Sequence, residues 1–128
     1  MKILLDTHIL LWAAADSASL SSQARKILVS DSAELYFSAA SIWEVAIKMG
    51  LGRPDFAVDP RQFRRGLLSN GYREVTVTGE HAIEVISLED IHKDPFDRIL
   101  IAQARVEGMR LVTADKLVGQ YSGNILMV

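Results

Sequence analysis

Short runs of strand composition alternate with longer stretches of helical periodicity along the whole chain. That alternation predicts βαβ units, and with them an α/β fold whose parallel sheet is covered by helices on both faces. The first run, Lys2 to Asp6 (KILLD), is apolar and closes on an acid, as a central strand buried on both sides would. From Thr7 the segment THILLWAAAD, rich in Ala and Leu, predicts a helix packed into the core. Leu20, Ala24, Ile27 and Leu28 recur at helical spacing within Ser19 to Ser30, and Glu34 to Ser38 (ELYFS) has strand composition. Ser38 is placed to cap a third helix reaching about Gly50. Asp59-Pro60 and Asp94-Pro95 each join an N-cap to a proline at the first helical position, opening helices that end near Asn70-Gly71 and at Gly108. Arg73 to Thr78, Arg110 to Thr113 and Asn124 to Val128 are expected strands. Glu80 to Leu88 is an expected helix, Glu89 to Lys93 a polar loop, and Asp115 to Tyr121 a short helix.

Composition then removes whole classes of function. At 128 residues the chain fits one domain, 1–128, and 49% hydrophobic against 23% charged residues is a globular balance. A net charge of -2 excludes a strongly basic nucleic-acid platform while leaving room for a local basic rim. With no cysteine there is no disulfide, thiolate zinc site or cysteine nucleophile, so any metal must be held by oxygen or imidazole. The longest apolar run, Ile9 to Ala15, is far short of the ~20 residues that span a bilayer, and Asp6 interrupts the position of a secretory apolar region. The expectation is a soluble, cytoplasmic protein.

The acids are the informative residues. Ligands of open parallel sheets bind beyond the carboxyl ends of the strands. Asp6 follows the first strand, Glu44 lies in the helix after the second, and Asp115 follows Leu111-Val112-Thr113. Asp97, at the start of the helix feeding that last strand, shares a stripe with Leu100, Ile101 and Ala104, a poor place for an unpaired charge. On the third helix Ile42, Val45, Ala46 and Met49 are expected on one side and Glu44 on the other with Ser41 and Lys48, while Trp43 and Ile47 form a second apolar strip. Carboxylates sharing one pocket raise one another's pKa unless a cation intervenes, and all-oxygen ligation completed by water points to Mg²⁺ or Mn²⁺.

Each acid also has a plainer reading. Asp6 and Asp115 fit helix caps, Glu44 with Lys48 fits a surface i,i+4 pair, Asp97 fits a first-turn acid, and Asp94 before Pro95 is assigned to capping. Thr7 and Thr113 flank two of the acids and Ser41 shares the Glu44 face; each either orients a ligand or bonds local backbone. His8, His81 and His92 are too scattered for a metal cluster, His8 is expected to be packed, and no catalytic histidine is assigned.

At this point the chain resembles the PIN-domain family, and within it the VapC-like ribonuclease toxins. The matching segments are LLDTH (Leu4 to His8), SIWEVAIK (Ser41 to Lys48), HKDPFDRILIAQA (His92 to Ala104) and LVTAD (Leu111 to Asp115), in family order. The resemblance implies a Rossmann-like three-layer α/β/α sandwich and an acidic pocket formed by Asp6, Glu44, Asp97 and Asp115, with Thr113 supporting it. It also implies a metal-dependent endoribonuclease, a homodimer, and a cognate antitoxin that blocks the pocket.

On that basis Asp6 and Asp97 are the expected principal ligands of Mg²⁺ or Mn²⁺. Asp115 completes the shell, and Glu44 orients or deprotonates water. Lys48, Lys93, Arg98 and Lys116 are candidates for a cationic rim that meets RNA phosphates, with Arg61, Arg64, Arg65 and Arg73 a second basic group. Trp12, Trp43 and Ile47 are candidate antitoxin contacts. A non-catalytic RNA-binding domain of the same fold is the alternative. A receiver domain wants adjacent acids after the first strand, where this chain has Thr7-His8, and a dehalogenase-type phosphatase wants an Asp where it has His8.

Overall fold

The computed structural model describes residues 1–128. Five parallel strands make one sheet: β1 (Lys2–Leu5), β2 (Glu34–Ser38), β3 (Arg73–Val75), β4 (Arg110–Thr113) and β5 (Ile125–Met127), in the order β3-β2-β1-β4-β5. β1 sits in the centre, with Leu4 opposite Tyr36 of β2 on one side and Leu111 of β4 on the other. Successive side chains of a strand point to opposite faces, so β1 feeds two cores. Ile3 and Leu5 pack with Phe37 and Val112 beneath α1 (Thr7–Ala14), α2 (Ser22–Leu28), α3 (Ala39–Gly50) and α4 (Pro60–Ser69). Leu4 packs with Tyr36, Leu111, Leu100 and Ile101 on the side of α5 (Gly79–Glu84) and α6 (Pro95–Glu107). This is the three-layer α/β/α sandwich. No helix is long and apolar enough to cross a membrane.

The helix starts follow the side-chain chemistry of the sequence. Asp59 and Asp94 each accept a hydrogen bond from the backbone N–H two residues on, with Pro60 and Pro95 opening the helices. Ser38 accepts from the Ala40 N–H, so α3 follows β2 with no intervening loop. Gly108 ends α6 in the left-handed region (φ 68°), where its N–H reaches the Ala104 carbonyl.

Several boundaries differ from the sequence expectation. β3 stops at Val75. Glu80 to Leu88 becomes α5 plus a 3-10 turn over Val85–Ser87, and Asp115 to Tyr121 holds only a 3-10 turn over Val118–Gln120. The faces of α3 differ too: Ala40, Ser41, Glu44 and Val45 are buried, whereas Ala46 and Met49 are exposed. Direct continuation from β2 fixes the rotational phase of α3, so the strand rather than the apolar count selects its inner face.

Candidate active site

β1, β2 and β4 all end at the same edge of the sheet, and α6 begins there. The Asp6 N–H donates to the Val112 carbonyl (3.1 Å), tying the residue after β1 to β4. Asp6 uses its two oxygens differently: Oδ1 accepts from the His8 N–H at 2.7 Å, capping α1, and Oδ2 accepts from the Thr113 hydroxyl at 2.6 Å. Thr113 Oγ1 in turn accepts the Asp115 N–H at 3.0 Å, so one hydroxyl registers both acids. Asp115 splits its oxygens likewise, with Oδ1 on the Leu117 N–H (2.8 Å) and Oδ2 facing the His92 ring (3.1 Å). The cap readings of Asp6 and Asp115 therefore hold for one oxygen each, while the other oxygen faces its neighbours across the sheet edge.

Glu44 is 5% exposed, Oε2 pairs with Lys48 Nζ at 3.0 Å, and Oε1 is buried without a partner. An orphan carboxylate oxygen is costly unless something cationic meets it. Asp97 lies in the first turn of α6, 14% exposed at its side chain, with Oδ2 3.0 Å from His92 Nε2. Burial, then the negative charges of Asp6, Asp94 and Glu44, push its pKa up to about 7 against the lowering influence of His92. Burial also raises Asp6 despite its hydrogen bonds from Thr113 and His8. Burial acts upward on Asp115 as well, but hydrogen bonds from the Leu117 N–H and from His92 outweigh it and hold that carboxyl below its usual range. Asp97 thus feels the charges of Asp6 and Glu44, and Asp6 that of Asp115. One side-chain donor atom from each of His92, Asp97 and Asp115 lies within 4.8 Å of the others. The carboxylate oxygens of Asp97 and Asp115, with those of Asp6 and the orphan Glu44 oxygen, are hard donors of the kind a divalent cation takes.

The remaining expected residues are distributed unevenly. Thr7 and Ser41 share a buried hydroxyl–hydroxyl bond of 2.7 Å that links α1 to α3, so they join helices rather than touch a carboxylate. Arg98 is not part of an outer rim. Its guanidinium turns inward, Nη1 donating to the Glu89 and His92 carbonyls and to Tyr121 Oη, and Nη2 to the Val85 carbonyl. Lys93 and Lys116 are exposed, and Lys48 is committed to Glu44. An open groove of about 510 Å³ runs past Glu44, Lys48, Arg53, Lys93 and Phe96. Arg53 had no motif to single it out. In the second basic group Arg64 is bound to Glu74 (2.8 Å), while Arg61, Arg65 and Arg73 are exposed.

Two histidine expectations need correction. His8 is exposed rather than packed, its ring tilted over Trp12 with centroids 5.9 Å apart. His92 does not stand apart from the acids; it lies between Asp97 and Asp115. The loop before α6 brings it there, a convergence invisible in spacing, although its place beside the DPFDR segment was a usable signal. His81 is buried, its Nε2 2.8 Å from Glu107, and closes the capping box of α5. Trp12 is half-buried, whereas Trp43 and Ile47 are exposed, Trp43 resting edge-on against Phe96.

Solved structures share the fold. A toxin-antitoxin complex from Klebsiella pneumoniae matches with a TM-score of 0.68 at 19% identity, covering 98% of this chain and 96% of that one. VapBC2 from Rickettsia felis, bound to a DNA fragment from its promoter, matches with a TM-score of 0.70 at 12% identity, over 100% and 98%. VapC20 from Mycobacterium tuberculosis, a Sarcin-Ricin loop cleaving toxin, matches with a TM-score of 0.62 at 17% identity, over 94% and 96%. No curated protein sequence matches the chain. The PIN domain pattern matches residues 3–123, nearly the whole sequence, and the chain therefore belongs to the PIN domain family.

Proposed function

We propose that the chain is a divalent-metal-dependent endoribonuclease, the toxin of a toxin–antitoxin pair. The observation that carries the reading is Asp97. Its carboxyl is driven up to about 7 by burial and by three neighbouring acids at the carboxyl edge of a parallel sheet. A fold gains nothing from such crowding; a site for a cation does. The toxin-antitoxin neighbours and the cleaving activity named for one of them support the same reading.

Asp6, Asp97 and Asp115 would hold Mg²⁺ or Mn²⁺. When bound, the ion supplies positive charge against the anionic phosphodiester and lowers the pKa of water. Thr113 fixes Asp6 relative to Asp115 through the hydroxyl that both share. Glu44, with Oε1 unpartnered, is the group free to orient water or take its proton, while its Oε2 is paired with Lys48. Lys93, Lys116 and Arg53 line the approach for RNA phosphates. The exposed Trp43 and Ile47 offer apolar surface to an antitoxin or to a second copy of the chain.

The test incubates purified, antitoxin-free protein with single-stranded RNA in Mg²⁺, Mn²⁺ or EDTA, beside Asp97→Asn. Cleavage should need the metal and fall on the order of 100-fold or more in the variant. Undiminished cleavage in chelator or by the variant would refute the mechanism. Binding of RNA without cleavage in any metal would favour the non-catalytic alternative.

A further inference from the structure

The geometry points to His92 as an internal hydrogen-bond donor that occupies the cation's place between Asp97 and Asp115 and must be displaced when a divalent ion binds. The inference rests on the cation-binding part of the proposed function and concerns how that site is held before loading.

His92 Nδ1 accepts the Asp94 N–H at 3.1 Å, which requires an unprotonated Nδ1 and therefore places the ring hydrogen on Nε2. Nε2 stands 3.0 Å from Asp97 Oδ2 and 3.1 Å from Asp115 Oδ2. One N–H is thus shared by the two carboxylates. A nitrogen that carries a hydrogen cannot be a metal ligand. To become one, His92 would have to move the hydrogen to Nδ1 and give up the Asp94 N–H.

The backbone opposes such a change. The His92 N–H donates to Tyr121 Oη at 2.6 Å, and its carbonyl accepts from Arg98 Nη1 and from the Tyr121 hydroxyl, both at 3.3 Å. Arg98 also donates to that same Tyr121 oxygen at 3.1 Å. The residue is held on both sides of its peptide, and its ring is 15% exposed. The inward-turned Arg98 finds its purpose here, in fixing the loop that carries His92. The N–H gives two carboxylate oxygens that face the same point one shared donor. Asp115 Oδ1 is committed to the Leu117 N–H, so an ion held by Asp115 needs the Oδ2 that the His92 N–H now occupies. His92 is therefore a positioning residue, which keeps the acids assembled and sets the cost of metal entry.

Calorimetric titration with Mn²⁺ tests this on wild type, His92→Ala and His92→Gln, the glutamine amide restoring an N–H at similar reach. The expected result is about tenfold tighter Mn²⁺ binding by His92→Ala, the value of one lost charge-assisted hydrogen bond, and near wild-type binding by His92→Gln. Weaker or unchanged binding by His92→Ala overturns the inference, as does His92→Gln binding as tightly as His92→Ala. Nitrogen-detected spectra of the wild-type protein supply a readout independent of variant folding. Without metal, Nε2 should carry the hydrogen and keep it when Mg²⁺ is added. A hydrogen on Nδ1, or loss of the Nε2 hydrogen on adding Mg²⁺, overturns the assignment. RNA cleavage is scored separately. Weakened Mn²⁺ binding by His92→Ala sinks this inference and leaves the nuclease reading standing, whereas wild type that binds no Mn²⁺ sinks both.

Discussion

Single side chains at the sheet edge perform two tasks at once. Asp6 and Asp115 each spend one oxygen on a helix or turn start and leave the other for the cluster, and Thr113 joins them through one hydroxyl. Thr113→Val removes that hydroxyl while conserving shape. It should lower metal affinity about tenfold, which calorimetry would detect, and Thr113→Ser should restore it. Asp97 makes a pH prediction. Its carboxyl titrates at about 7 in the fold against an ordinary 3.8, so the fold binds this proton more tightly than the unfolded chain. The resulting stability is complete below about pH 4 and is lost as the pH rises through about 7. In EDTA the melting temperature of wild type should fall relative to Asp97→Asn across that window. Parallel curves for the two proteins would show that Asp97 carries no such strain.

Elements succeed or fail by how they are anchored. β1 is buried on both faces, and Leu4, fully buried among Tyr36, Leu100 and Leu111, is its keystone on one of them. Leu4→Ala should cost about 2–5 kcal/mol in denaturant melts through lost burial and the cavity left behind. A smaller loss would mean that the α6 layer collapses into the gap. The termini of α4 and α6 are legible because Asp-Pro and Gly act locally, through cap geometry and a left-handed φ. α3 is the counterexample. Its buried face carries Ser41 and Glu44 because Ser38 passes directly from strand to helix, which fixes the phase before any apolar preference acts. Lys48 meets one oxygen of the buried Glu44, and the proposed cation would meet the other.

The whole molecule carries a net charge of -2, so attraction of the RNA substrate proposed above must be local. With Arg98 internal and Lys48 paired, Lys93 and Lys116 with Arg53 are the cations left beside the acids. Reversing Lys93 and Lys116 to Glu together should weaken RNA binding and flatten the dependence of log K on log salt by roughly 0.7 per lost phosphate contact. An unchanged salt slope in filter-binding or anisotropy measurements would remove these lysines from the interface.

The sequence by itself determined the parallel α/β fold, the capped helix starts and the residue types of the pocket. Strand alternation, Asp-Pro caps and acids beyond strand ends are all local patterns. Only the tertiary structure decided that His92 enters the pocket, that Arg98 leaves the surface, and that α3 buries Glu44 while leaving Ala46 and Met49 exposed. Each of those outcomes depends on where a loop or helix lands against residues far away in the chain. His92 meets Asp115 and Tyr121, and Arg98 meets Tyr121 and the Val85 carbonyl, and no spacing along the chain encodes those meetings.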